Sequence, residues 1–187
     1  DKMINSTRIR VARNLAAYPL GTAVTRQQRK EIEKLVTSAL GTFEGELKGK
    51  YYSLETMTDG EKKQLIADHF LFKGGDKYLQ SAGLENDWPE ARGIFHNNDK
   101  TFLVWVNEED QLRIISMQKG SDIKAVFKRL ADAANKIEEK AKFANDEHFG
   151  YISTCPTNMG TGLRASVHIN LPKLMKNKDL HQSIADK

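Results

Sequence analysis

Residues 101–117 read TFLVWVNEEDQLRIISM. Phe102 to Val106 is an unbroken apolar run, and residues 112–117 are again rich in β-branched side chains. Between them stands a short acidic turn, Glu108-Glu109-Asp110. Two β-prone runs joined by so short a turn read as a hairpin, which makes their pairing antiparallel. Outward from it, residues 3–11, 150–154 and 163–171 also read as strands. Helices are predicted over residues 25–40, 58–70, 121–142 and 172–186. The first two open on capping-box pairs, Thr25 with Gln28 and Thr58 with Glu61. The third carries Ile123, Val126, Phe127, Leu130 and Ile137 on one stripe. The last opens on Pro172, which suits a first helical turn. This mixed order predicts an α+β fold, an antiparallel β-sheet flanked by helices.

The chain has 187 residues, 39% hydrophobic and 29% charged, as expected of a soluble globular domain. No apolar run has the length of a membrane span. The start shows no apolar core of a signal peptide, and a cytoplasmic protein is expected. A single cysteine, Cys155, rules out an intrachain disulfide and fits a reducing compartment. Lys and Arg number 29 against 25 Asp and Glu, a formal charge of +4. So mild an excess permits a polyanionic partner without requiring one. There is no repeat and no linker-like stretch, so one continuous domain is expected, beginning and ending as a piece of something longer.

Side chains alternate faces along a strand. Ser6, Arg8 and Arg10 therefore share a face, with Ile9 and Val11 on the other. Arg164, Ser166 and His168 share a face in the same way, with Val167 and Ile169 turned away, and Arg113 lies at the mouth of the hairpin. Such alternation also describes an ordinary half-exposed sheet. Arginine, however, is the residue of choice where a rigid donor fork meets phosphate or carboxylate. Converging arginines would bind a polyphosphate. No GxxxxGK[ST] loop, GxGxxG turn or HRD/DFG set is present, so a nucleotide site here must rest on arginines.

The acidic turn reads either as a solvated loop or as a carboxylate held opposite a cationic substrate, with Trp105 as packing or as a site wall. Cys155 reads either as an inert small residue or as a loop thiolate stabilised by the hydroxyl two residues on. His69 stands at a helix end, where a structural role is the simpler one. No His/Cys spacing supports a zinc site, and no metal-binding side chains are assigned.

Together these residues resemble the phosphagen (guanidino) kinases, most of all the arginine kinases. The matching segments are STRIR (6–10), GELKGKYY (45–52), DHFLFKGGDKYL (68–79), RGIFHNNDKTFLVWVNEEDQLRIISMQKG (92–120) and CPTNMGTGLRASVHINLPKL (155–174). The resemblance covers essentially the whole chain. It implies a partial C-terminal catalytic domain over residues 1–187, of the guanidino kinase and glutamine synthetase-like kind. It implies reversible transfer of the γ-phosphoryl group of MgATP to a guanidino substrate, with L-arginine as the acceptor. Arg8, Arg10, Arg113 and Arg164 then hold the phosphates. Ser6, Thr7, Ile9, His69, Ala165, Ser166, Val167 and His168 fall at nucleotide-contacting positions, His168 near the adenine. Glu109 grips the guanidinium and Cys155 lies beside it. ATP or ADP is bound with Mg²⁺ carried by phosphates and water.

CPTN with Thr157 resembles arginine kinases, while GLENDWPEARGI (83–94) and GTGLRA (160–165) look closer to creatine kinases. Bacterial protein-arginine kinases share the STRIR-like and NEED segments only. The family's N-terminal helical domain and a C-terminal mobile loop are expected to be absent, leaving weak nucleotide binding and slow turnover. The expected partners are nucleotide and a guanidino compound, with no nucleic acid and no membrane, in a monomer or homodimer. The non-catalytic alternative is a basic module binding polyanions, against which the lack of a paired aromatic on a strand weighs for RNA.

Overall fold

The computed structural model describes residues 3–186. Its elements in chain order are β1 (Ile4–Arg13), α1 (Arg26–Leu40), β2 (Gly49–Ser53), α2 (Asp59–Ala67), α3 (Lys77–Ser81), β3 (Gly93–Asn97), β4 (Phe102–Val106), β5 (Leu112–Lys119), α4 (Ile123–Lys140), β6 (Asn145–Asp146), β7 (Gly150–Tyr151), β8 (Leu163–Ile169) and α5 (Lys178–Ala185). Six strands form one sheet in the order β2-β3-β4-β5-β1-β8, and every neighbouring pair is antiparallel. β6 and β7 form a separate small ribbon. The central hairpin is β4–β5, with Val106 opposite Leu112. The Asn107 N–H closes it onto the Gln111 carbonyl at 2.9 Å. Asn107 has φ +57°, a left-handed conformation that Asn tolerates better than most residues.

One sheet face packs on α1 and α4. Ile9, Val11, Phe95, Phe102, Val104, Leu112 and Ile114 meet Ile32, Val36 and Leu40 of α1 and Val126, Leu130, Ala133 and Ile137 of α4. Both capping boxes form, at Thr25–Gln28 and Thr58–Glu61. The other sheet face is covered over only part of its width. Ile94, Leu103, Trp105 and Ile115 pack against Leu54, Met57, Leu71 and Phe72 from the segment around α2. This second layer stops at β5. The outer face of β1 and both faces of β8 lack such cover, and every residue of β8 is exposed.

Several expectations change. β2 and β3 were not foreseen, because each is five residues long and opens on a glycine, ordinarily a turn signal. Those glycines mark close approach instead. A Cβ on Gly49 would lie 2.2 Å from the His96 carbonyl oxygen, and one on Gly93 would lie 2.4 Å from that of Tyr52. The strand expected over 150–154 is regular only at Gly150–Tyr151. Beyond it the chain is tied to a side chain, the Thr154 N–H donating to Asp110 Oδ1 at 2.7 Å. The helix expected from Pro172 begins at Lys178, capped by Asn177, after a short 3-10 turn at Leu174–Lys176. α2 ends at Ala67, three residues early, where His69 takes φ +61°. Among the described residues no helix is long and apolar enough to cross a membrane.

The uneven cover makes a measurable asymmetry. Ile114 is 0% exposed and Val167 is 41% exposed. Ile114→Ala should cost about 2–5 kcal/mol in urea unfolding, while Val167→Ala should stay within about 0.5 kcal/mol. Equal losses would contradict the one-sided core.

Candidate active site

The bare half of the sheet is built by register. On β1 and β8, Arg10 stands opposite Arg164, Arg8 opposite Ser166, and Ser6 opposite His168. On β1 and β5, Ala12 stands opposite Arg113. Opposed residues of an antiparallel pair share a face. The four arginines named from the sequence therefore lie on one face, the one opposite α1 and α4. Arg8, Arg10, Arg164 and Ser166 line a cavity of 140 Å³. Among the described residues, the guanidinium groups of Arg8, Arg10 and Arg164 have no carboxylate partner and no hydrogen bond, and Arg8 Nε is buried unpartnered. Burial, and then the charge of Arg113, lower the pKa values of Arg8 and Arg10 from their usual range. Unsatisfied buried donors are costly, and an anion satisfies them.

Arg8 also lines a second, adjoining cavity of 270 Å³. Its walls include Ser6, His69, Phe70, Met117 and His168. Phe70 and Met117 give it apolar surface, while Ser6 Oγ lies 3.0 Å from His168 Nδ1. The left-handed turn after α2 brings His69 to this rim. A cleft with apolar walls and a few polar groups, continuous with a cationic floor, suits an aromatic base carrying phosphates.

Four of the expected positions turn their side chains to the opposite face. Thr7 and Ile9 alternate with the arginines and point into the helix side. Thr7 Oγ1 donates to the Gly120 carbonyl at 2.8 Å, and Ile9 is part of the core. Ala165 and Val167 stand opposite Ile9 and Thr7. The pleat that gathers the arginines thus excludes these four side chains from the site.

At the end of the face stands the acidic turn. Arg113 Nη2 donates to Glu109 Oε2 at 2.8 Å. Glu108 Oε2 lies 3.2 Å from the same nitrogen, an ion pair without hydrogen-bond alignment, which leaves that oxygen without a hydrogen bond. Arg113 lies over Trp105, 5.3 Å from its ring centre, and Trp105 Nε1 donates to the Phe70 carbonyl at 2.7 Å. Trp105 packs in the second layer and carries Arg113 over its ring. Asn107 anchors the turn, its Nδ2 donating to the Arg29 and Ala91 carbonyls at 3.0 and 2.8 Å. The sequence reading named Glu108 only within the acidic turn, with no role of its own, and did not single out Asn107. Cys155 is half-buried, with Sγ 3.0 Å from Thr157 Oγ1, and it begins the 3-10 turn Pro156–Asn158.

Burial raises the Glu108 pKa, with Arg113 pulling it the other way. A carboxyl with a raised folded pKa favours the folded state below its unfolded value, about 4.3, and loses that contribution as pH rises through the folded pKa. The parent should therefore lose stability relative to Glu108→Gln as pH rises above about 4.3. Urea unfolding across that range measures the gap, and a flat or opposite trend contradicts the burial argument.

Comparison with known proteins agrees with this geometry. Residues 31–186 match the family described as ATP:guanido phosphotransferase, C-terminal catalytic domain. Arginine kinases of Limulus polyphemus and Polybetes pythagoricus are each 55% identical over 186 residues, which is 100% of this chain and 52% of each relative. The chain thus spans about half the length of the curated relatives it matches. Among solved structures, the duplicated taurocyamine kinase of Schistosoma mansoni with bound transition state analog components superposes with a TM-score of 0.91 at 47% identity. That match covers 97% of this chain and 25% of the other. A lombricine kinase superposes with a TM-score of 0.89 at 44% identity, covering 97% of this chain and 51% of that one. Sequence, sheet order and the arginine face converge, and the chain belongs to the ATP:guanido phosphotransferase family.

Proposed function

We propose that this chain carries the nucleotide and guanidinium sites of an enzyme that moves the γ-phosphoryl group of ATP reversibly to L-arginine. The observation that carries the reading is the set of three arginines, Arg8, Arg10 and Arg164, with no counter-ion among the described residues and continuous with a base-sized cleft. In the forward direction a guanidino nitrogen forms a bond to the γ-phosphorus. The bond from that phosphorus to the β-bridging oxygen breaks, and the nitrogen loses a proton. Such a reaction asks for alignment and neutralised charge more than for covalent help. Arg8, Arg10, Arg164 and Arg113 supply fixed positive charge around the transferred group.

Glu109 supplies the other half. It already holds one guanidinium, that of Arg113. A guanidino substrate presents the same planar donor fork. Because the guanidinium pKa is far above that of a carboxyl, Glu109 works by orienting the acceptor. Cys155 stands on the loop tied to the acidic turn, the Thr154 N–H beside it donating to Asp110 Oδ1. Among the described residues no three His, Cys, Asp or Glu side chains gather into a metal site. Mg²⁺ is therefore assigned to the nucleotide's phosphates and water, where it offsets their charge. Arginine is favoured as acceptor over creatine, taurocyamine or lombricine by the 55% identity to arginine kinases.

Calorimetric titration with MgADP should give saturable 1:1 binding. Arg10→Ala should weaken it at least about tenfold, the worth of one charge-assisted hydrogen bond, whereas Lys34→Ala on α1 should leave it unchanged. Affinity that tracks salt and ignores the choice of cation removed would point to a general polyanion surface instead. In a coupled assay arginine should be the acceptor that gives turnover, with Glu109→Gln lowering the rate about 10²- to 10³-fold. Turnover with creatine and none with arginine would overturn the acceptor assignment.

A further inference from the structure

We infer that Asn14 is a positioning residue that sets the acidic turn of Glu109 against the loop of Cys155. Asn14 is the first residue beyond β1 and is 0% exposed. Its carboxamide is used on both sides. Nδ2 donates to Asp110 Oδ1 at 2.8 Å and reaches the Ile152 carbonyl at 3.2 Å. Oδ1 accepts from the Gln111 N–H at 2.9 Å. Asp110 Oδ1 accepts a second bond, from the Thr154 N–H at 2.7 Å. Asp110 follows Glu109 in sequence, and Thr154 precedes Cys155. One buried oxygen therefore joins the neighbours of both groups, and Asn14 holds that oxygen from the side of the arginine strand.

The arrangement is unbalanced in a telling way. Asp110 is 2% exposed, and its Oδ2 has no hydrogen-bond partner, while Oδ1 carries two donors. A buried carboxylate with one bare oxygen can rotate unless a directional donor holds it. Asn14 is the only side chain donating to it among the described residues. Gln111 braces the same corner, its Oε1 accepting from the Leu15 N–H at 2.9 Å and its Nε2 donating to the Pro19 carbonyl at 2.7 Å. Losing the Asn14 donor frees the carboxylate and, through it, the Thr154–Cys155 peptide. Arg8 and Arg10 lie upstream on β1 and keep their ladders on both sides.

Cys155 is the only thiol in the chain, so its alkylation reads this loop alone. Iodoacetamide rates across a pH series should change several-fold in Asn14→Ser, with a displaced pH profile, while MgADP affinity stays at the parent value. Asn14→Asp keeps the acceptor for the Gln111 N–H and removes the donor to Asp110 Oδ1, and should displace the profile in the same way. An unaltered profile in folded Asn14→Ser would overturn the inference. So would a loss of alkylation control and MgADP affinity together, which marks a general structural defect. If Asn14→Ser does not fold, Asn14→Asp decides alone. An altered profile with the parent's MgADP affinity supports the bridge, and a parent-like profile or failure to fold overturns it. The inference rests on the proposed reaction only for the importance of the Glu109–Cys155 spacing. Alkylation needs no substrate, so absent MgADP binding in the parent would sink the reaction and leave the bridge intact.

Discussion

β1 is held by β5 on one side and β8 on the other, and the pleat of this one strand divides the molecule's work. Thr7, Ile9 and Val11 enter the helix-covered core, and Arg8 and Arg10 between them carry guanidinium groups. Neither set can move without the other. A slip of one residue would drive Arg8 and Arg10 into the core and expose Ile9 and Val11. The buried face, with α1 and α4 packed on it, thus fixes the register of the cationic face. The incomplete second layer leaves that cationic face open to a ligand.

The electrostatics follow from the same geometry. Like charges gathered on a sheet repel, and burial deepens the cost, as the lowered pKa values of Arg8 and Arg10 register. Arg113 alone among the four has carboxylate partners, and it stands over the ring of Trp105. It joins the two parts of the face, sharing the side of Arg8 and Arg10 and pairing with the acidic turn. The turn stays in place through bonds that carry no charge, the Asn107 amide to α1 and to Ala91.

Much of this was readable beforehand because periodicity and chemistry coincided. The alternation in 6–10 and 164–168 placed the arginines on common faces, and the hairpin at 101–117 placed Glu109 at its turn. Alternation also separates the side chains of Thr7, Ile9, Ala165 and Val167 from the arginine face, since they share the parity of the core residues. They entered through family resemblance, which transfers positions without regard to side-chain direction. β2 and β3 were missed because their leading glycines serve close approach and read as turns. Asn14, Asp110 and Gln111 form their network across 96 and 97 residues of sequence, and no local pattern records such pairings.

Three guanidinium groups without counter-ions among the described residues have a consequence for how this protein is handled. Any species that binds the folded chain and not the unfolded one raises the unfolding free energy by mass action. Inorganic phosphate and sulfate are multivalent oxyanions that match a guanidinium fork, and chloride matches it poorly. Melting temperatures recorded in phosphate and in chloride buffers would then be different thermodynamic quantities, one of them already containing a ligand.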